Sequence, residues 1–252
     1  MKPTFLNHKS PLLCAILQYK TVDETIGAIR NGISNGAEAF GLQVECLGTE
    51  HQDIESFKRL VAEMEDKPCY VTNYRKGSNK DKSDEVLAEE MLALAENGAT
   101  LCDVMGDMFL KTPGELTTDP EAIKKQMEYI DKLHEKGAEV LMSSHVLKYE
   151  PAERVLEIAL EQKRRGADII KIVTGAETME QQLENLKTTV LLKKELGAPF
   201  LFLSGGQCSI HRRLGMKLGC SMALCVYEHY YGSTATQPLL KIAKQVRDDM
   251  GF

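Results

Sequence analysis

Eight short apolar runs recur along the chain, at 12–17, 39–46, 69–73, 101–105, 139–143, 168–173, 200–203 and 221–226. Each has the length of a strand and lacks the in-out alternation of a half-solvated sheet, as strands buried on both faces of a parallel sheet do. Between them lie longer stretches, such as 22–35, 83–97, 119–136, 153–165 and 179–196, apolar at every third or fourth position. That spacing predicts amphipathic helices. Asn35-Gly36-Ala37, Asn97-Gly98-Ala99, Lys136-Gly137-Ala138 and Arg165-Gly166-Ala167 place a glycine just past a helix and just before a strand, where a left-handed cap ends a helix. Eight βα units close into an α/β (β/α)8 TIM barrel. A doubly wound open sheet is the alternative. No identical 20–50-residue repeat supports a solenoid. With no Pro/Ser-rich linker in its 252 residues, the chain is read as one catalytic domain over 1–252.

Thirty-one basic against thirty-seven acidic side chains give a net charge of −6 without a basic stripe, so nucleic acid is not an expected partner. No window approaches 18 uninterrupted apolar residues and the N-terminus lacks a signal-peptide core. The expectation is a cytoplasmic protein without membrane association. Its seven cysteines show no CxxC spacing and mostly lie in apolar runs, as reduced, packed thiols do.

A barrel places its chemistry at the C-terminal ends of its strands, so polar residues there come first. Lys171 interrupts Ile169-Ile170-Lys171-Ile172-Val173. An ammonium there loses hydration, which favours the neutral, nucleophilic amine; a lysine that snorkels to the edge or pairs with a carboxylate reads equally well. His145 ends the preceding strand, and an imidazole can take a proton from carbon and return one to a departing hydroxyl. A hydrogen-bonded structural histidine fits the same position. Arg75, after the third strand, offers a fork of donors to an anionic or hydroxylated ligand, or is a surface arginine. Ser204-Gly205-Gly206-Gln207 leads to Ser209 and to Arg212-Arg213 at a helix start after strand seven, a common barrel site for anions. Solvated arginines are the plainer reading. Ser233 and Gln237 after strand eight suit a carboxylate, or cap the last helix. HExxH, GxGxxG and clustered metal ligands are absent from the sequence, so no metal and no cofactor are expected.

Ser144-His145, Gly166-Ala167-Asp168-Ile169-Ile170-Lys171-Ile172 and Ser233 with Gln237 resemble the type I 3-dehydroquinate dehydratase family. The resemblance runs from Leu13-Cys14-Ala15-Ile16 through Tyr74-Arg75, Arg213 and Ser221 to Gln237. It implies a metal-free hydro-lyase of the shikimate pathway of aromatic amino-acid biosynthesis, converting 3-dehydroquinate to 3-dehydroshikimate through a Schiff base. Lys171 would form the imine and His145 would move the protons. Arg213, with Arg212 as the other choice, would hold the substrate carboxylate together with Ser233 and Gln237, and Arg75 would face the ring hydroxyls.

Departures fall on ring recognition. The family's Glu-x-Arg-x-Asp on the second strand is Gly41-Leu42-Gln43-Val44-Glu45 here, leaving Gln43 as the polar group there, and a loop glutamate past the arginine is Asn79. A site without those charges discriminates its substrate less sharply or prefers another. The same elimination on a different hydroxylated cyclic keto acid is therefore the first alternative, followed by a non-catalytic metabolite-binding barrel and a class I aldolase. A homodimer is the expected assembly.

Overall fold

Strand β1 (Leu12–Leu17) is buried at all six positions, and β2 (Ala39–Gln43), β3 (Cys69–Thr72), β4 (Leu101–Met105), β5 (Glu139–His145), β6 (Ile169–Thr174), β7 (Phe200–Ser204) and β8 (Met222–Cys225) are nearly as enclosed. This computed structural model describes residues 3–206, 210–230 and 232–252. The strands form one parallel sheet in the order β7-β6-β5-β4-β3-β2-β1-β8, a nearly closed barrel. At the remaining seam the Ser221 N–H donates to the Phe200 carbonyl at 2.9 Å. Helices α1 (Val22–Ser34), α2 (Ile54–Glu63), α3 (Asp84–Glu96), α4 (Pro120–Glu135), α5 (Ala152–Arg164), α6 (Met179–Glu195), α7 (His211–Leu218) and α8 (Leu240–Asp249) follow the strands in turn.

The expected caps form. Gly36, Gly98, Gly137 and Gly166 all take positive φ, and the alanine after each returns its N–H to a carbonyl five residues back, as in Ala37→Gly32 at 2.9 Å and Ala99→Leu94 at 3.0 Å. These bonds satisfy the orphan carbonyls of the helix end and turn the chain into the next strand. Thr21, Asp53, Ser83, Asp119 and Thr178 cap α1, α2, α3, α4 and α6 through their side chains.

Two strand boundaries differ from the sequence reading by more than one residue. The second strand stops at Gln43 rather than 46, because the buried Glu45 carboxylate accepts from the Thr72 hydroxyl at 2.9 Å and winds Val44–Cys46 into a 3-10 turn. The fifth continues to His145, carried by pairing of Ser144 with Ile172 and His145 with Val173. The six described cysteines are free thiols; Cys208 lies outside the described residues.

Register sets which side chains share the barrel interior, since laterally paired residues of neighbouring strands face the same way. Ile16 pairs with Gly41, Gly41 with Tyr70, Tyr70 with Leu101, Asp103 with Leu141, and Ser143 with Lys171. One inner face thus carries an aliphatic floor below and a polar layer above it.

Candidate active site

Lys171 is 4 % exposed and lies among three other polar side chains of that layer. Its Nζ donates to the Tyr70 hydroxyl at 2.9 Å, to the Tyr74 hydroxyl at 2.8 Å and to Asp103 Oδ2 at 3.1 Å. Asp103 also accepts from both phenols, 2.6 Å in the case of Tyr74, and its Oδ1 accepts from Ser143 Oγ at 2.5 Å. Of the readings open for Lys171, pairing with a carboxylate is the one the geometry gives. Burial pushes the Asp103 carboxyl upward, but the ammonium and three hydroxyl donors reverse this and hold it below the ordinary carboxylate range. Burial raises both phenols well above their usual value, so they stay protonated and act as donors.

His145 stands at the end of β5, its ring edge-on to Tyr74 at 5.3 Å between centroids. Tyr74 therefore touches the amine with its hydroxyl and the imidazole with its ring. A cavity of about 330 Å³ opens beside this pair, lined by Tyr74, Arg75, Lys76, Lys111, Glu115 and His145 among others. Glu115, in the loop between β4 and α4, accepts from the His145 backbone N–H at 3.1 Å and lies 2.6 Å from Nδ1. A carboxylate on Nδ1 favours the tautomer whose Nε2 is free to accept a proton.

The other expected residues divide. Arg75 is turned to protein carboxylates: Nε and Nη2 donate to Asp84 at 2.6 and 2.7 Å, Nη1 to Asp107 Oδ1 at 2.7 Å, and Nη2 also to the Asp107 carbonyl. Four donor contacts, two to the first residue of α3 and two to the loop after β4, hold Arg75 in place and compete with any ligand. Asn79 is fully buried and donates to Asn73 at 2.6 Å. Gln43 accepts from Gln18 at 2.9 Å, and Gln18 also donates to the Thr234 hydroxyl, joining the β2 end to the loop after β8. At Gly41 an added Cβ would sit 2.4 Å from Ile16 Cδ1 and 3.1 Å from the Tyr70 ring, so these two side chains fill the place of a second-strand glutamate.

On the opposite side, Arg212 Nε donates to the Ser204 carbonyl at the end of β7. Burial pushes its guanidinium down to about 10, with no opposing charge from a carboxylate among the described residues. Arg213 is half-buried. Burial first, then Arg212, brings the neighbouring His211 down to about 4, so it is neutral. Gln207 and Ser209, expected to form the loop here, lie outside the described residues. The Ser233 hydroxyl donates to the Tyr230 carbonyl at 2.9 Å and closes a turn. Gln237 is 5 % exposed with its side-chain oxygen unpaired. Neither caps α8, whose N-cap is Leu239.

Sequence reasoning passed over Asp103 and Glu115. For Asp103 the signal was present, since a carboxylate inside Leu101-Cys102-Asp103-Val104-Met105 is as costly to bury as an amine. For Glu115 no spacing pointed to the site.

Residues 13–246 match the model of the family described as type I 3-dehydroquinase. A 3-dehydroquinate dehydratase of Syntrophotalea carbinolica is 28 % identical over 184 residues, covering 69 % of this chain and 68 % of that protein. Among solved structures, the type I 3-dehydroquinate dehydratase from Clostridium difficile superposes with a TM-score of 0.80 at 18 % identity, covering 96 % of this chain and 93 % of the other. The 3-dehydroquinate dehydratase from Geobacillus kaustophilus gives 0.82 at 16 %, covering 96 % and 91 %. At those identities the structural likeness speaks for the barrel alone.

Proposed function

The chain belongs to the type I 3-dehydroquinase family, and from that premise we propose that it is a hydro-lyase that dehydrates 3-dehydroquinate to 3-dehydroshikimate through an imine on Lys171. The observation that carries the reading is the inward lysine of β6, buried among hydroxyls, with His145 at the end of the adjacent strand. Lys171 adds to the ketone and expels water. The protonated imine then accepts the electron pair left when His145 removes the C2 proton, giving an enamine. His145 returns that proton to the C1 hydroxyl as it leaves, and water releases the product from the lysine.

Arg213, Ser233 and Gln237 take the substrate carboxylate by their place in the sequence motif. Arg212 is the second reading for the arginine, favoured by its burial without a counter-charge. Arg75 serves the ring side only by giving up part of its hold on Asp84 and Asp107, and Gln43 supplies an amide there. The whole chain is proposed to act as one domain, as a homodimer in the cytoplasm. Sedimentation at twice the 28.1 kDa chain mass supports the dimer, and sedimentation at that mass removes it. No helix among the described residues is long and apolar enough to cross a membrane.

Borohydride reduction in the presence of 3-dehydroquinate tests the chemistry. Intact mass is expected to show one reduced adduct, mapped to Lys171, and Lys171→Met is expected to abolish adduct and turnover together. A wild-type protein that forms no adduct removes 3-dehydroquinate as substrate. A second reading follows from the filled space at Gly41 and the engaged Arg75: a cyclic keto acid with fewer ring hydroxyls undergoes the same elimination. It is favoured if such a ketone traps Lys171 where 3-dehydroquinate does not.

A further inference from the structure

We propose that Asp103 is the counter-ion of the Lys171 nitrogen, keeping it cationic both as the resting ammonium and as the protonated imine. The proposal rests on the imine assignment above and goes beyond it, because electron withdrawal at C2 needs the imine protonated, and a barrel interior opposes that charge. A buried cation without a partner loses its proton, whereas a carboxylate a few ångströms away restores the charged form. Asp103 Oδ2 lies 3.1 Å from Nζ, and neither side chain has more than a trace of solvent.

The surroundings fit a fixed charge better than a proton carrier. Asp103 accepts from Tyr70, Tyr74 and Ser143 as well as from Lys171, which leaves a well-satisfied carboxylate with little tendency to take a proton. Imine formation then balances with no net proton gained or lost, once Nζ passes one of its protons to the incoming carbonyl oxygen and so frees its lone pair for attack. The C=O bond is exchanged for C=N, and the carbonyl oxygen leaves as water with two of the ammonium's three protons. The third stays on nitrogen, so one positive charge faces Asp103 before and after the step. A ketone reaching Nζ displaces a phenol contact of Tyr70 or Tyr74, not the ion pair.

Other titratable groups packed around the pair leave that charge to Asp103. Cys14 on β1 is a thiol pushed well up by burial, so it is neutral. Glu45, after β2, is raised by burial against the pull of Lys76, and spends its oxygens on Lys76 at 3.6 Å, Thr72 and the Tyr74 N–H. The Tyr74 ring lies edge-on between the pair and His145. Steric coupling supports the same picture: Gly41 gives up its side chain to Ile16 and Tyr70, and Tyr70 in turn reaches both Asp103 and Lys171. The polar layer is arranged around a charged nitrogen rather than around ring hydroxyls.

The test reads Lys171 without and with substrate. Folded wild-type, Asp103→Asn and Asp103→Ser proteins are treated with formaldehyde and cyanoborohydride across a pH series, and methylation of the Lys171 peptide is followed by mass spectrometry. With the counter-ion removed, the pH of half-maximal reactivity is expected to fall by about one to three units. In parallel, the alkaline limb of kcat for 3-dehydroquinate is expected to move down in the variants by a similar amount. A folded variant whose half-reactive pH stays where it is in the wild type overturns the proposal, as does a uniform loss of kcat with an unmoved alkaline limb. If wild-type protein does not turn over 3-dehydroquinate, the substrate assignment fails while the methylation series still decides the role of Asp103.

Discussion

Glu115 reaches His145 from a backbone conformation that non-glycine residues rarely adopt, with φ of +51°. It is held there from both ends: its carbonyl accepts from Ser144 Oγ at 2.7 Å, and its carboxylate meets both Nδ1 and the backbone N–H of His145. Strain kept in place by surrounding contacts at a reactive group marks a position whose geometry matters. Glu115→Gln keeps the shape but removes the charge that stabilises an imidazolium. We expect kcat to fall roughly 100-fold, the low end of what a proton-transferring group contributes, while borohydride trapping on Lys171 proceeds at the wild-type rate. Equal losses in both would place Glu115 in imine formation instead. Lys171 and His145 were legible in the sequence because a costly polar group at a strand end stands out against an apolar run. Asp103 carried the same signal inside β4. Glu115 carried none, since its reach depends on a loop that only the folded chain closes; the burial of Asn79 against Asn73 was equally invisible.

The element that delivers Glu115 is the loop at 106–119, and Arg165 fastens it from below. Fully buried at the end of α5, its guanidinium donates to the carbonyls of Gly106 at 3.0 Å and Thr117 at 2.6 Å, to Gln126 Oε1 at 3.0 Å, and to Glu161 at 2.8 Å. The two carbonyls flank the segment that carries Glu115, so one side chain closes the loop across its base. Read as sequence, Arg165 was only the residue before the Gly166 cap. Helix caps and strand order could be read from local chemistry, whereas a buried arginine bridging residues tens of positions apart could not. Arg165→Met leaves two buried acceptors, the Thr117 carbonyl and Gln126 Oε1, unpaired at about 1–3 kcal/mol each, while the Gly106 carbonyl keeps the Thr117 N–H, so a loss of at least roughly 2 kcal/mol is expected in urea unfolding. It should also lower kcat in the variant that remains folded, through the loosened Glu115. Unchanged stability would mean that these acceptors find other partners.

Across the whole molecule, the alternation of strands and helices made the barrel legible because each unit repeats the same local solution, a buried strand and a left-handed cap. What it did not convey is how far the folded state depends on carboxylates remaining ionised. Glu161 is held down to about 2, first by its hydrogen bond to Arg164, then, against burial, by Arg165. Asp103 is likewise held below its ordinary value, against burial, by Lys171 and three hydroxyls. For both, the unfolded chain takes up a proton at a higher pH than the folded one. Their contribution to stability is therefore complete above the ordinary carboxylate range and is lost as the pH falls toward the folded value. For Glu161 that window runs from 4.5 down to about 2. Thermal melts should accordingly change little from these groups between pH 7 and about 5 and drop steeply below about 4.5. Glu161→Gln should lie below the wild type at neutral pH and flatten the acid limb, because it removes a charge whose stabilising effect the wild type loses in that window. A wild-type melting temperature that is the same at pH 3 as at pH 7 would show that these ion pairs stabilise the native barrel no more than they do the unfolded chain.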